Sequence, residues 1–553
     1  MKFRGIAVML IAVTLLTGCT NLSELGKESK EGQSTDQIIA EQGEAVTHEN
    51  ILKIPIAYKM SFNPYVAKDK TWIQFNKLIF EGLFNYDENY LPQPYLVDLL
   101  ESNDEGTRFR MKIKEGVSFH NGDPMTVDDI VFTYNFFKQE YLNTPFKDFV
   151  ANTFEVGGSF GDKFSIQKLS SSEFIVQTNR AYVNLFDFLT LPILSKRTSL
   201  NGLGDGSGAY RKLMSKDNAF KVNGTGPYQF KSFEELKSYK LEANGKWWKG
   251  TPKIAEVEGI IVSSEDAVFT TVLSGVADIA KTEYEDWGKH SENNGVTTYE
   301  YPDMLYDVLA YNGRSKYFAN RLTPLKTYID SKLNRKSILT NIYLGHGYDA
   351  KYPINPLISK IEAPVQGEAK QKTEQLLPLE NYTQKNENGY WVNEKGQKIE
   401  LRLLTLKKDN YLKIAESIEK DMNKAGILVK IQVAETWENY MTSLATDKYD
   451  MAIVSIQMPM LLDYKNVLHS SGAVHAWAGY DSQIDIAISE YMRQSPLKKK
   501  VALEQLIKVV DQYKPFSTLV FRNNAVILNK KVQGDIKPFA FDIYHSIENW
   551  SIQ

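Results

Sequence analysis

The chain has 553 residues, of which 42% are hydrophobic and 24% are charged. This length exceeds what one hydrophobic core usually organises, so two or three domains are expected. The 65 basic and 68 acidic residues give a net charge of -3, which offers no electrostatic argument for nucleic-acid binding. A single cysteine, Cys19, excludes an intrachain disulfide.

The N-terminus predicts export followed by lipid attachment. A basic start precedes an apolar run at residues 6–16, which is too short for a stable membrane span. The motif Leu-Thr-Gly-Cys that ends at Cys19 resembles the bacterial lipobox, in which the cysteine is acylated. We therefore expect a signal peptide at residues 1–18, lipidation of Cys19 and a polar, lipidated tether at residues 19–50. The alternative is a simple cleaved signal with an incidental cysteine.

Residues 107–136 give the clearest local pattern in the chain. Apolar and basic residues alternate from 108 to 114, which predicts a half-buried strand. A turn rich in Gly, Asn, Asp and Pro follows. Thr126 and Asp129 then form an acidic variant of the capping box that begins a helix. This strand, turn and helix predict a scaffold piece without catalytic chemistry.

Other strands and helices alternate along the chain, which predicts an α/β fold. Predicted helices cover a stretch within residues 71–86 that ends near Gly82, and residues 411–425, 437–445 and most of 484–513. Predicted strands cover residues 51–58, 305–311, 398–406, 427–433, 449–456, 516–528 and 532–536, with a hairpin at residues 164–177. Residues 398–433 form a β-α-β unit, which is typical of an α/β lobe. The lysine run at residues 498–500 is expected to form a solvated helix face.

Several motifs together resemble one protein family. They are Phe-Glu-Gly-Leu at 80–83, the segment 92–102, the segment 107–136, Gly-Thr-Gly-Pro-Tyr at 224–228 and Trp-Trp-Lys-Gly-Thr-Pro at 247–252. The chain resembles the family 5 solute-binding proteins, the peptide- and nickel-binding extracytoplasmic components of ABC importers. The resemblance extends from about residue 51 to the C-terminus.

The resemblance implies a periplasmic-binding-protein-like type II fold. Such a fold has two lobes, an extra inserted domain and a ligand cleft between the lobes. We expect lobe I at residues 51–83, 186–302 and 516–553, the inserted domain II at residues 84–185, and lobe III at residues 303–515.

The resemblance also implies a function. It implies a bacterial lipoprotein on the extracytoplasmic face of the cell membrane, held there by its N-terminal lipid. The expected protein is a monomer without a cofactor. It binds oligopeptides non-covalently and delivers them to the transmembrane subunits of an ABC permease. The alternatives are another solute, such as a nickel chelate or an oligosaccharide, and a surface lipoprotein that senses peptide signals without transport.

The binding residues are also implied by the resemblance. In the peptide-binding relatives an Asp shortly after a buried strand meets the peptide's ammonium group, and a Trp lies on the helix before that strand. Here the strand is at residues 449–456, the Asp is Asp463 and the Trp is Trp437. The further candidates are Tyr464, Met458, Met460, Trp72 and Trp477. A surface turn for Asp463 and core packing for the tryptophans are the alternative interpretations.

Catalytic and metal-binding patterns are weak. The Gly-x-Ser-x-Gly match at residues 157–161 lacks the following helix that a nucleophile elbow needs, because a strand pattern comes next. The chain has no His-Glu-x-x-His motif and no P-loop. On a helix, the spacing of His469 and His475 would point the two side chains apart, although a loop could bring them together. We therefore expect neither an enzyme nor a metal site.

Overall fold

The computed structural model describes most of the chain beyond residue 49. The described residues are 50–57, 62–156, 160–203, 207–214, 220–262, 265–282, 295–319, 324–349, 354–355, 381–446, 448–458, 461–472 and 481–553. They belong to one unit, Asn50–Gln553. The expected signal peptide, Cys19 and the tether through residue 49 lie outside the described residues, and so do Met460 and Trp477.

Helices and strands alternate through the described residues. The α-helices are α1 (Lys70–Asn76), α2 (Val127–Glu140), α3 (Lys147–Phe154), α4 (Leu185–Phe188), α5 (Lys196–Leu200), α6 (Ser207–Leu213), α7 (Glu265–Leu273), α8 (Pro324–Lys332), α9 (Arg335–Asn341), α10 (Asp409–Ala425), α11 (Trp437–Leu444), α12 (Tyr464–Leu468), α13 (Ser482–Met492) and α14 (Lys499–Tyr513). The β-strands are β1 (Ile51–Ala57), β2 (Phe84–Tyr86), β3 (Pro92–Pro94), β4 (Val97–Ser102), β5 (Arg108–Ile113), β6 (Phe164–Lys168), β7 (Glu173–Thr178), β8 (Tyr228–Glu234), β9 (Ser238–Ala243), β10 (Glu256–Val262), β11 (Ile279–Thr282), β12 (Val296–Tyr311), β13 (Gly347–Tyr348), β14 (Gln384–Lys385), β15 (Trp391–Val392), β16 (Glu400–Leu406), β17 (Leu428–Ala434), β18 (Met451–Gln457), β19 (Phe516–Asn529), β20 (Val532–Gln533) and β21 (Ser551–Ile552). This alternation confirms the predicted α/β class.

Three larger sheets organise these elements. The first has the order β1-β10-β9-β8, with β1 parallel to β10. The second is the antiparallel sheet β4-β5-β7-β6. The third is mixed and has the order β11-β19-β12-β18-β16-β17, with β13 also paired to β19. The division of the chain into lobes and an inserted domain at the expected boundaries stays a prediction.

The strand, turn and helix predicted within residues 107–136 are confirmed. Burial alternates along β5, so its apolar residues pack inward while its basic residues remain more exposed. Helix α2 begins after Thr126, whose backbone N–H and hydroxyl each donate to an oxygen of Asp129 at 2.9 Å. The predicted hairpin is the antiparallel pair β6–β7.

The predicted β-α-β unit is also confirmed. Strands β16 and β17 are parallel, and α10 connects them. Helix α10 buries side chains at helical spacing between Tyr411 and Ala425, which places one face on the core. It ends at Gly426, whose φ of 91° is left-handed and therefore favours glycine.

The helix predicted from residue 71 to near Gly82 ends earlier than expected. Helix α1 ends at Asn76, and the segment that follows becomes extended before β2. The N–H of Phe84 donates to the carbonyl of Leu189, and the N–H of Tyr95 donates to the carbonyl of Leu83. These long-range backbone bonds replace the helical ones, so tertiary pairing overrides the local helical pattern.

The predicted lysine face is wrong at its middle residue. Lys498 and Lys500 are exposed, whereas Lys499 is buried and its ammonium lies 2.5 Å from the carboxylate of Asp187. The hydroxyl of Tyr86 donates to the same carboxylate at 2.8 Å. Lys499 is the first residue of α14 and lies on its buried face. A run of three lysines does not show which of them faces the core.

Three of the family-like motifs meet at one buried carboxylate, that of Glu81. Its oxygens accept hydrogen bonds from the Thr225 hydroxyl at 2.8 Å, the Trp247 indole at 3.0 Å and the Trp248 indole at 3.3 Å. Burial raises the pKa of Glu81 to about 7, although these hydrogen bonds act in the opposite direction. Glu81 thus connects the segment after α1 to the turn before β8 and to the loop after β9.

The turn at residues 224–228 packs tightly against the backbone of neighbouring segments. A Cβ atom on Gly224 would lie 1.9 Å from the carbonyl oxygen of Ile79, so this position requires glycine. The Gly224 N–H donates to Nδ1 of His120 at 3.2 Å, and Nε2 of His120 lies 3.1 Å from the Gly226 carbonyl oxygen. A neutral imidazole with its proton on Nε2 satisfies both contacts. Burial lowers the pKa of His120 to about 4, which keeps the ring neutral.

We predict that Gly224→Ala destabilises the protein, because the added methyl group would collide with the Ile79 carbonyl. The free energy of unfolding, measured by urea denaturation, should fall by at least about 2 kcal/mol. Gly245→Ala is the matched control, since its Cβ would meet nothing within 4 Å. Equal stabilities for the two variants would contradict this interpretation of the turn.

Candidate functional site

A cleft of about 230 Å³ lies between the large mixed sheet and the elements around β1 and α1. Its lining mixes apolar and polar side chains. The described residues that line it include Ile54, Pro55, Thr71, Gln74, Lys281, Tyr301, Asp303, Met304, Gln457, Met458, Phe541 and Tyr544. Such a mixture of apolar surface with a few placed polar groups is typical of a ligand site.

The C-terminal segment forms one wall of the cleft and is fixed by α1. The Gln74 amide nitrogen donates to the carbonyl of Ala540 at 3.1 Å, and its amide oxygen accepts from the N–H of Ile543 at 3.1 Å. Both hydrogen-bonding ends of this buried side chain are therefore used. Gln74 holds residues 540–544 against α1 and so shapes the cleft.

Met458 is placed on the opposite wall by the sheet. It follows β18, and its N–H donates to the carbonyl of Met304 at 2.9 Å, which extends the pairing of β12 with β18. Met458 is buried and borders the cleft. Its predicted place on a ligand-binding edge and its contact with a ligand stay predictions.

Asp303 supplies a carboxylate to the cleft that the sequence analysis missed. It lies where the pairing of β12 with β19 shifts register, between Pro302 and Tyr306. One carboxylate oxygen accepts from the Met304 N–H at 2.8 Å and the other from the Asn524 amide at 2.7 Å. A Pro and an Asp inside a strand pattern are signals for a bulge, and bulges often redirect side chains at functional sites.

Asp463 is buried at the start of α12 and does not line this cleft. Its carboxylate caps α12 by accepting from the Asn466 N–H at 3.2 Å, and it accepts from the Asn152 amide at 2.7 Å. Asn152 lies on α3, so this bond connects two regions distant in sequence. Burial raises the pKa of Asp463 from 3.8 to about 6, against the effect of the two donors.

Tyr464 follows Asp463 and is also buried. Its side chain borders a small cavity beside the cleft, and Met458 borders both spaces. The structure therefore brings these two predicted residues together.

The two described candidate tryptophans lie in different surroundings. Trp72 is 1% exposed, and its ring packs edge-on against Phe62, Phe75 and Tyr239 at centroid distances of 5.2 to 5.3 Å. Its neighbour Thr71 borders the cleft. Trp437 is 61% exposed at the start of α11. Neither tryptophan is a lining residue of the cleft.

Within the part of the chain that the structure describes, no group of three or more His, Cys, Asp or Glu side chains could hold a metal ion. Over the same residues, no helix combines the length and the apolar character needed to span a bilayer. His475 and residues 157–159 of the Gly-x-Ser-x-Gly match lie outside the described residues.

Comparisons with known proteins point to one family. The sequence model described as bacterial extracellular solute-binding proteins, family 5 Middle, matches residues 91–473. The chain is 23% identical to the oligopeptide-binding protein AppA of Bacillus subtilis, covering 100% of this chain and 99% of that protein. It is 21% identical to the nickel-binding protein NikA of Staphylococcus aureus, covering 97% and 96%.

The fold is also found in solved structures. The structure of AppA from Bacillus subtilis in complex with a nonapeptide matches 91% of this chain and 99% of that chain, with a TM-score of 0.58 and 21% identity. HbpA2 from Haemophilus parasuis matches 91% and 100%, with a TM-score of 0.70 and 17% identity. These matches confirm the predicted periplasmic-binding-protein-like fold.

We predict that Asp463→Asn removes a pH-dependent loss of stability. The raised pKa means that the folded state binds the proton more tightly, so stability falls as pH rises from about 4 to about 6. Asparagine can still cap α12, and the Asn152 amide can turn to match it. Urea denaturation should therefore show the variant gaining on the order of 3 kcal/mol relative to the parent between pH 4 and pH 7. A stability difference that stays constant with pH would refute this.

Proposed function

Because the chain belongs to family 5 of the bacterial extracellular solute-binding proteins, we propose that it binds oligopeptides non-covalently and delivers them to the permease of an ABC importer. The observation that carries this proposal is the cleft between α1 and the mixed sheet. Its lining combines hydrogen-bonding groups with thioether and aromatic surface. The oligopeptide-binding relative AppA, aligned over the whole chain, supports the same ligand class.

A peptide of variable sequence must be bound through the groups that all peptides share. These are the backbone amides and the two terminal charges, while side chains need only space and apolar contact. The cleft offers the Asp303 carboxylate and the Lys281 ammonium for charges. Met304 and Met458 supply flexible apolar surface, which adapts to side chains of different shape.

The predicted binding residues divide into different roles under this proposal. Met458 and Tyr464 border the cleft or its side cavity, and we assign them to ligand contact. Asp463 caps the helix that begins with Tyr464, so we assign it a positioning role. Ligand contacts by Trp72, Trp437, Met460 and Trp477 stay predictions.

Membrane attachment belongs to the same proposal. The lipobox-like motif supports acylation of Cys19, and the polar segment up to residue 49 is long enough to act as a tether between lipid and folded unit. A protein held in this way on the extracytoplasmic face stays close to a permease in the same membrane. Mass spectrometry of the N-terminal peptide would detect the acyl groups.

The ligand class can be tested by thermal unfolding of the purified full-length protein in detergent. Pools of mixed-sequence oligopeptides should raise the melting temperature by a few degrees, because ligand at about 100 times its Kd stabilises the folded state by about 2.7 kcal/mol. Nickel–histidine, favoured by the NikA relative, and oligosaccharide pools are the competing arms. A shift with nickel–histidine or oligosaccharide and none with peptides would overturn the proposal.

A pair of methionine variants locates the binding site. Met458→Ala should weaken peptide binding about tenfold, because it removes apolar contact inside the cleft. Met441→Ala is the matched control, since Met441 is 44% exposed on α11 and does not line the cleft. Equal effects of the two variants on peptide affinity would place the ligand elsewhere.

A further inference from the structure

Three consecutive polar residues lie in the middle of the buried strand β19. They are Arg522, Asn523 and Asn524, and they are 6%, 4% and 4% exposed. Buried polar side chains are costly unless their hydrogen-bonding groups have partners. Each of these side chains donates to a different carboxylate of the neighbouring strand β12, namely those of Asp307, Glu300 and Asp303 in that order.

The pairing of β12 with β19 is interrupted at the same place. Pro302 pairs with Asn523, and the next pair along β12 is Tyr306 with Phe521. Between these two pairs β12 has three residues, whereas β19 has one. Residues 303–305 therefore form a bulge in β12, and such bulges redirect the side chains that they carry.

This bulge supplies part of the cleft wall. Asp303 and Met304 both line the cleft. The Met304 N–H donates to the Asp303 carboxylate at 2.8 Å, and the Met304 carbonyl accepts from the N–H of Met458 at 2.9 Å. Because Met458 also lines the cleft, the shape of the bulge determines where three lining residues lie.

Arg522 is the single residue of β19 opposite the bulge, and it anchors the C-terminal end of the bulge. Its Nε and Nη2 donate to the two carboxylate oxygens of Asp307 at 2.9 and 2.6 Å. Nη2 also donates to the Ser455 hydroxyl on β18 at 3.0 Å. Asp307 is fully buried, and the planar guanidinium fixes the direction of both bonds to it.

Asn524 anchors the N-terminal end of the bulge. It pairs with Tyr301, shortly before the bulge begins. Its side-chain amide donates at 2.7 Å to the carboxylate oxygen of Asp303 that the Met304 N–H does not use. Side chains of one strand thus hold the bulge at both of its ends.

We propose that Arg522 and Asn524 are positioning residues for ligand binding, because they hold the bulge that places Asp303 and Met304 in the cleft wall. Neither Arg522 nor Asn524 lines the cleft, so both act through the bulge. This inference rests on the proposed function, since it takes the cleft as the site where the ligand binds.

Arg522→Lys tests the proposal in the full-length protein. Lysine keeps a positive charge beside Asp307 but loses the fixed two-pronged geometry of the guanidinium. Calorimetric titration should show about tenfold weaker binding of a mixed-sequence oligopeptide pool. Hydrogen–deuterium exchange of the amides at residues 303–307 should be at least about tenfold faster than in the parent protein, because the bulge opens more often.

Arg335→Lys is the matched control. Arg335 is 5% exposed, pairs with the carboxylate of Asp330 and donates to the carbonyl of Thr518 at 2.7 Å. It does not line the cleft. Its variant should bind the same peptide pool within about twofold of the parent and leave exchange at residues 303–307 unchanged. An affinity loss as large as that of Arg522→Lys would overturn the proposal.

A second pair of variants leaves the buried ion pair intact. Asn524→Ala releases Asp303 and should weaken binding of the peptide pool about fivefold. Asn523→Ala is its control, because it releases Glu300, which lies outside the bulge and does not line the cleft. If Arg522→Lys does not fold, this pair decides, and equal affinities of its two members would overturn the proposal.

Affinity and exchange together separate this inference from the proposed function. Unchanged peptide affinity in Arg522→Lys would overturn the positioning role, and so would weaker binding without faster exchange at residues 303–307. Failure of the parent protein to bind any peptide would instead overturn the proposed function.

Discussion

The Glu81 carboxylate is the contact on which the arrangement of the cleft depends. It accepts hydrogen bonds from Thr225, Trp247 and Trp248, which come from two segments about 150 residues further along the chain. A buried carboxylate without such donors would be strongly destabilising, so these segments must close around it together. The glycines of the adjoining turn permit the close approach, because Ile79 leaves no space for a Cβ on Gly224.

This cluster also determines how α1 is presented to the cleft. Helix α1 ends four residues before the Phe-Glu-Gly-Leu motif, so anchoring Glu81 fixes the end of α1 as well. Gln74 then ties α1 to the C-terminal segment, and Thr71 borders the cleft beside it. The family-like motifs thus hold the scaffold, whereas the side chains that face a ligand lie on β12 and after β18. Scaffold residues and cleft residues are therefore different residues, so one fold can serve different ligands. Two relatives that match nearly the whole chain are accordingly named for an oligopeptide and for nickel.

The sequence predicted the elements whose signals are local. Strand β5, the Asp129 capping box and the β16-α10-β17 unit all follow from hydrophobic periodicity and helix termini. The sequence-based prediction failed where contacts between residues distant in the chain determine the local structure or the burial of a side chain. The extended segment after α1 depends on pairing with Leu189, and the burial of Lys499 depends on Asp187, more than 300 residues away. Neither partner is visible in the local sequence.

The candidate site shows the same division. Met458 could be found because it follows a recognisable buried strand, and Tyr464 because it follows Asp463. Asp303 was missed, since its place in the cleft arises from a register shift between β12 and β19 that only the paired strands reveal. The charged groups that face the cleft are therefore the least predictable part of the molecule, although they determine the proposed ligand.

The most direct measurement is mass spectrometry of small molecules released from the protein after gentle purification from its native host. We expect oligopeptides of mixed sequence, because Met304 and Met458 in the cleft adapt to side chains of different shape. Recovery of a nickel chelate or an oligosaccharide as the bound species, with no peptide, would contradict peptide binding.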